Sequence, residues 1–419
     1  MSSAVAVNSR FFAFFKARLF EWRKLKWAAL ALGLAAMTLV SGCSTLSFPQ
    51  INNSLPLSAT QLPNQGLPAA AGQTIGTGPV RVALLLPLSG DVASVGTSMA
   101  NAAQLAMEFI AQSPNINDNI TLVIKDTLGD PNIAAQKASE AVSEGASLIL
   151  GPLKAESVRA AGAVARSSGV PLIGFSNNSG AAAPGVYLLN VLPNVEVRRT
   201  LAYAQSQGRK SFAAIVPNTA FGQIQEGAFR QAASDLGLTV RAVYRFSNEA
   251  EARSVIEQAI PFLKQGLIDA LFIPDRSTAP SFGVLLEQAG IDRANLMLIG
   301  SLDWEGDANI PQTAYLAGAI YPSVDESGLA ALTPQYEAKF GQPPHPLSTI
   351  AYTATLLANS KSLSMSLPRY DRAQLTRPSG FNGRDGLFRF LPDGRSQYAL
   401  AIKQIIIGGA QQIDGPKIP

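Results

Sequence analysis

Sustained apolar patterning begins at residues 80–86, VRVALLL, a short run with β-branched members that Pro87 closes. Behind it Val95, Met99, Ala102, Ala106 and Phe109 step by four, three, four and three positions, which traces one face of a helix. The alternation then repeats. It predicts strands at 120–125, 147–150 and 171–175, a helix after Pro131 and a helix over 156–167. It resumes with strands at 211–216, 239–246, 269–273 and 296–299, separated by helices at 223–236, 249–264 and 281–288. The strand segments are continuous apolar runs rather than strict alternations, as expected of strands covered by helices on both faces. Right-handed crossovers between such units give parallel sheets.

These units exceed one sheet. Those before about residue 194 and those from 211 to 300 each form one doubly wound half, so the pattern predicts an α/β protein of two Rossmann-like lobes. Lobe 1 is expected over 79–195, completed by about 319–360, and lobe 2 over 196–318, completed by about 380–410. The last hundred residues carry a strand at 316–321, a helix at 347–361 and apolar runs at 388–391 and 398–407. Between those two runs lies Pro392-Asp393-Gly394-Arg395, a strong hairpin signal.

The chain before residue 79 differs. Arg10, Lys16, Arg18, Arg23, Lys24 and Lys26 precede an uncharged apolar run at 27–40, the order of a secretory leader and too short for a membrane span. Ser41 and Gly42 then lead into Cys43, the one cysteine of the chain. This resembles the lipobox of bacterial lipoproteins, which implies a leader over 1–42 and a lipidated Cys43. Ser44, where an Asp would favour inner-membrane retention, implies the outer membrane. Residues 44–78 carry no charge and are rich in Ser, Pro, Gln, Asn and Gly, so 43–78 is expected to be a flexible tether with a reach on the order of 30 Å.

Removing residues 1–42 takes six basic residues from 33 and one acidic residue from 29, leaving 27 and 28. The remaining body therefore lacks the basic excess of a nucleic-acid binder. One cysteine and one histidine, His345, argue against an internal disulfide, a metal site or a Ser-His-Asp arrangement. Neither a phosphate loop nor a dinucleotide fingerprint follows any predicted strand. No catalytic activity and no cofactor are expected.

In open parallel sheets, ligands bind outside the carboxyl ends of the strands. There the first half offers Ser89 with Gly90, then Gly151-Pro152-Leu153-Lys154, then the polar run Ser176-Asn177-Asn178-Ser179. These groups suit a small polar ligand, or cap ordinary turns. The second half offers Phe221, Asp275, Asp303 and Trp304. Phe221 and Trp304 either wall a pocket or sit in the core. The two acids either face an ammonium group or stand in solvent.

Taken together, VALLLPLSGDVASVGTSMANAAQLAMEFI, DTLGDPNIAAQKASEAVSEGASLILGPL, VARSSGVPLIGFSNN and FAAIVPNTAFGQIQEGAFRQAASDLGLTV resemble the type I periplasmic binding proteins, in particular the leucine/isoleucine/valine-binding family. The resemblance runs from about Val80 to about Ile407. It implies two doubly wound α/β lobes joined by hinge strands that close on a ligand, with first-lobe contacts near Lys154-Ala155, Ser176 and Asn178. Ser89 falls in the family's first-turn motif, and Phe221 falls where the family carries a Tyr before Gly. The acid that holds an ammonium would fall near Asp303 or Glu305. Lys154-Ala155-Glu156 replaces the small hydroxyl residues expected after Gly-Pro, and Ser176-Asn177-Asn178 replaces an Ala-Thr pattern.

The resemblance therefore implies a non-catalytic ligand-binding lipoprotein for an amino-acid-like or amide solute, working with an ABC permease. Gly151-Pro152-Leu153-Lys154, the anchor and the tether also resemble the binding-protein-like domain of penicillin-binding protein activators. That likeness implies an outer-membrane lipoprotein in contact with a peptidoglycan synthase. Both readings place the body in the periplasm, held to a membrane through its lipid alone.

Overall fold

A computed structural model describes residues 68–418. The leader at 1–42, Cys43 and the tether up to residue 67 lie outside the described residues.

The first sheet contains β1 (Gln73–Ile75), β2 (Val80–Leu86), β3 (Ile120–Asp126), β4 (Leu148–Leu150), β5 (Leu172–Gly174) and β6 (Val186–Leu188), in the order β1-β3-β2-β4-β5-β6. From β3 to β6 every pairing is parallel. β1 pairs antiparallel with β3, so the end of the expected tether is a sheet edge. Its uncharged composition concealed partners far along the chain. The Ala71 N–H donates to Glu144, the Lys125 ammonium donates to the Ala71 carbonyl, and the Thr77 N–H donates to Asp118. The crossovers are α1 (Ala93–Gln112), α2 (Pro131–Ser143) and α3 (Ala155–Ser167). α2 starts where the sequence signals it: Asp130 accepts from the N–H groups of Asn132 and Ile133, and Pro131 fills the first turn.

After β6 the chain leaves this sheet. α4 (Pro193–Ser206) leads into the second, with β7 (Ser211–Pro217), α5 (Ala220–Asp235), β8 (Thr239–Phe246), α6 (Glu249–Lys264), β9 (Ala270–Phe272), α7 (Ala279–Gln288), β10 (Met297–Ile299) and β11 (Ile320–Ser323). The chain then returns to the first lobe as α8 (Ser327–Phe340), α9 (Ser348–Asn359), α10 (Lys361–Ser364), α11 (Arg372–Leu375) and a small sheet of β12 (Phe381–Gly383), β13 (Gly386–Phe390) and β14 (Ser396–Tyr398). It ends in the second sheet with β15 (Leu400–Ile406) and β16 (Gly409–Lys417), giving the order β16-β15-β11-β10-β9-β7-β8.

Three crossings therefore join the lobes: before α4, between β11 and α8, and between β14 and β15. The returns fall elsewhere than the pattern predicts. β11, expected with lobe 1, pairs parallel with β10 in lobe 2. Phe381, Phe388, Phe390 and Tyr398, expected with lobe 2, pack into the core of lobe 1. The run 398–407 is two strands, split at Ala399 between two sheets. Apolarity alone does not say which core takes a strand. The turn at 392–395 does join β13 to β14, and its Gly394 carbonyl accepts from the Leu188 N–H of β6.

Each lobe opens on the same packing device. A Cβ on Gly96 of α1 would stand 2.0 Å from the Pro87 carbonyl oxygen, and one on Gly222 of α5 would stand 1.8 Å from that of Pro217. Glycine lets the first helix lie directly on the end of the first strand, which fixes the loop between them at the sheet's carboxyl edge. Ala102, Ala106, Leu332, Tyr336 and Tyr352 join α1 to α8 and α9 in a buried cluster. Ser98 ties the same corner, accepting from Tyr336 Oη at 3.0 Å and the His345 N–H at 2.9 Å.

Candidate functional site

The loops at the carboxyl ends of β2, β3 and β4 meet in lobe 1. Asp126, the last residue of β3, accepts from Ser89 Oγ at 2.6 Å and from the N–H groups of Leu88 and Leu128. Burial works to raise the Asp126 carboxyl, but these three donors hold it below its ordinary value. Gly90 has φ of +88° and presses its backbone against the Leu128 carbonyl, a conformation and a closeness suited to glycine.

Lys154, just before α3, reaches over this floor. Its ammonium lies 2.8 Å from each oxygen of the exposed Asp91 carboxylate and holds that acid below its ordinary value. After β5, buried Ser176 accepts from the Asn178 N–H at 3.1 Å, and Asn178 Oδ1 accepts from the Gly180 N–H. Asn177 is exposed, and Ala155 opens α3. Ser89 and Lys154 thus belong to one loop cluster, while Ser176, Asn177 and Asn178 form the neighbouring one.

In lobe 2, Phe221 is half-buried in the first turn of α5, where Thr219 caps the Gly222 N–H. Asp275 binds its own loop, accepting from the N–H and hydroxyl of Ser277 and the hydroxyl of Thr278. Asp303 faces Arg276, whose Nε and Nη2 lie 3.0 and 2.9 Å from Oδ1 while the Arg276 N–H donates to Oδ2. The acid proposed for an ammonium thus already holds a cation of its own lobe. Trp304 is not a pocket wall. It is 1% exposed, lies in the core of lobe 2 and packs against Tyr321. The short turn of helix after Ser301 rolls the indole inward.

One buried acid had no sequence signal. Glu196, in the first turn of α4, is where a helix-dipole partner on the surface would be expected. Instead the fold encloses it. Its oxygens accept from Gln225 Nε2 at 2.7 Å and the Leu302 N–H at 2.9 Å. Burial is the main reason that its carboxyl rises to about 7, and the Asp303 charge adds to the rise. Glu196 thereby holds the loop after β10, and Leu302 of that loop packs on the core of lobe 1. A second polar knot spans the lobes. Lys403 on β15 pairs with Glu305 of lobe 2 and with Glu326 at the start of α8.

The sequence profile of the periplasmic binding proteins matches residues 79–360, and the chain belongs to that family. No curated protein matches it. Solved structures share its fold at low identity. A protein described as a branched-chain amino acid ABC transporter from Rhodospirillum rubrum is 19% identical with a TM-score of 0.67, over 80% of this chain and 99% of that one. A substrate-binding protein from Desulfitobacterium hafniense, in complex with Leu, is 17% identical with a TM-score of 0.59, over 80% and 99%. A solute-binding protein from Rhodopseudomonas palustris BisB5, in complex with 3,4-dihydroxybenzoic acid, is 18% identical with a TM-score of 0.56, over 81% and 98%. The fold is that of a type I periplasmic binding protein, two α/β lobes linked by three crossings.

Proposed function

We propose that this periplasmic binding protein is a non-catalytic, lipid-anchored receptor for a small amino-acid-like or amide solute held between its lobes, serving an ABC permease. The observation that carries the reading is the gathering of Ser89, Lys154, Ser176 and Asn178 on loops at the carboxyl edge of the first sheet. Ser176 and Asn178 lie where a solute's polar groups would meet hydroxyl and amide partners. The Lys154 ammonium is the cation for a carboxylate, which would compete with Asp91 for it. In this reading Phe221, Asp275 and Asp303 supply the lobe 2 side of the site.

Thermal shift and calorimetry on the full chain test this with amino acids, amides and aromatic acids. A solute at 100 times its dissociation constant stabilises the fold by about 2.7 kcal/mol. Ser176→Ala with Asn178→Ala should abolish that shift without unfolding the protein, although the turn bonds they remove lower the unliganded melting temperature by a few degrees. Unchanged affinity would sink the site.

A second reading has its own support. Lys154 with Asp91, Asp303 with Arg276 and Asn178 with its own turn are already satisfied within the protein. Such a surface suits an outer-membrane activator that contacts a peptidoglycan synthase rather than a solute. Recovery of a synthase by cross-linking to the full chain, with no thermal shift across the solute panel, would replace the first reading.

A further inference from the structure

We infer that lobe 1 carries a separate binding site for a phosphate group, built from Arg377 and Arg384. Both arginines line one cavity of about 340 Å³ between the second half of α9 and the β12–β13 hairpin. Each lies over an aromatic ring. The central carbon of Arg377 lies 4.1 Å from the ring centre of Phe381, and that of Arg384 lies 4.4 Å from Tyr352. Arg377 Nε is also fixed, donating to the Gly380 carbonyl at 2.9 Å.

What the two cations lack is a counterion. Among the described residues neither forms an ion pair, and no acid lines the cavity. Asp385, next to Arg384 in sequence, accepts from the Thr349 hydroxyl instead. The remaining polar lining is neutral: Thr353, Ser360 and Asn382 supply hydroxyl and amide groups. The carboxyl end of α9 contributes roughly half a negative charge, less than the two guanidiniums. Two guanidinium forks of N–H donors at a cavity without acids match a phosphate dianion better than a carboxylate monoanion.

The cavity lies away from the strand ends that carry the candidate solute site. Asn359, the last residue of α9, is bonded to both the N–H and the side chain of Asn119, which precedes the first residue of β3. The second half of α9 therefore stands at the amino edge of the sheet. The inference thus does not depend on the solute reading.

Calorimetric titration of the full chain with inorganic phosphate, glucose 6-phosphate and succinate tests it. Binding of inorganic phosphate alone or of glucose 6-phosphate supports the site, the first as a free-ion site and the second as a site for an organic phosphate. Affinity should fall at least tenfold in Arg377→Gln with Arg384→Gln. Should that variant unfold, Asn382→Asp provides the same test, because it sets a negative charge on an exposed rim position and should weaken phosphate by a similar factor. Succinate bound as tightly as either phosphate, no heat from either phosphate at millimolar concentration, or affinity unchanged in a folded variant would each overturn the inference.

Discussion

Glu196→Gln isolates the acid that holds the loop after β10. In the native protein, burial lifts its carboxyl from 4.5 to about 7. Between those two values the folded state binds a proton that the unfolded state has released, so stability falls as pH rises through this window and levels off above it. A rise of roughly two and a half units corresponds to about 3 kcal/mol at 1.36 kcal/mol per unit. Glutamine removes that loss. Its carbonyl still accepts from the Leu302 N–H, and its amide can donate to Gln225 Oε1, which has no partner, once that amide turns over. At pH 8 the variant should therefore be more stable than the native protein by up to about 3 kcal/mol, and at pH 4.5 about equal to it. For about 350 ordered residues, at about 2.1 cal/mol/K each, this is a gain of about 4 °C in melting temperature. The assay is calorimetric melting from pH 4.5 to pH 8. A variant that melts lower at pH 8, or that keeps the native slope between pH 5 and pH 7, would refute the reasoning.

Trp304→Ala should cost about 3–5 kcal/mol by opening a cavity in the core of lobe 2, measured by denaturant unfolding. Trp304→Phe should cost under about 2 kcal/mol, because the indole N–H it deletes has no acceptor. Gly222→Ala drives a methyl group into the Pro217 carbonyl and should lower the melting temperature more than Gly227→Ala on the same helix, where a Cβ meets nothing within 4 Å. Lys154→Ala should leave the melting temperature nearly unchanged, since its partner Asp91 is exposed, while weakening any carboxylate solute in calorimetry.

The alternation of apolar runs and helical faces was sufficient to read most elements of the two halves, because period and burial are properties of neighbouring residues. Elements came through where both signals were strong, as at β2, α1 and β7. The loops at strand ends were legible for the same reason, which is why the places of Ser89, Lys154 and Ser176 after β2, β4 and β5 could be read in advance. The edge strand β1 was not, because its neutral Gly- and Thr-rich stretch becomes a strand through β3, some fifty residues away. Nor was the assignment of β11 to one lobe and of β12–β14 to the other, since either core accepts an apolar strand. Trp304 shows the same limit in one side chain: its residue type permitted pocket or core, and a turn after Ser301 chose the core. Glu196 shows it for charge. One position in a helix's first turn is solvated or enclosed according to what packs over it, and here Gln225 and the Leu302 loop enclose it. Sequence determined the local periods and the polar residues at each strand end; the tertiary structure decided which groups met, which were buried and so which could titrate, because those depend on partners that the chain brings together only when folded.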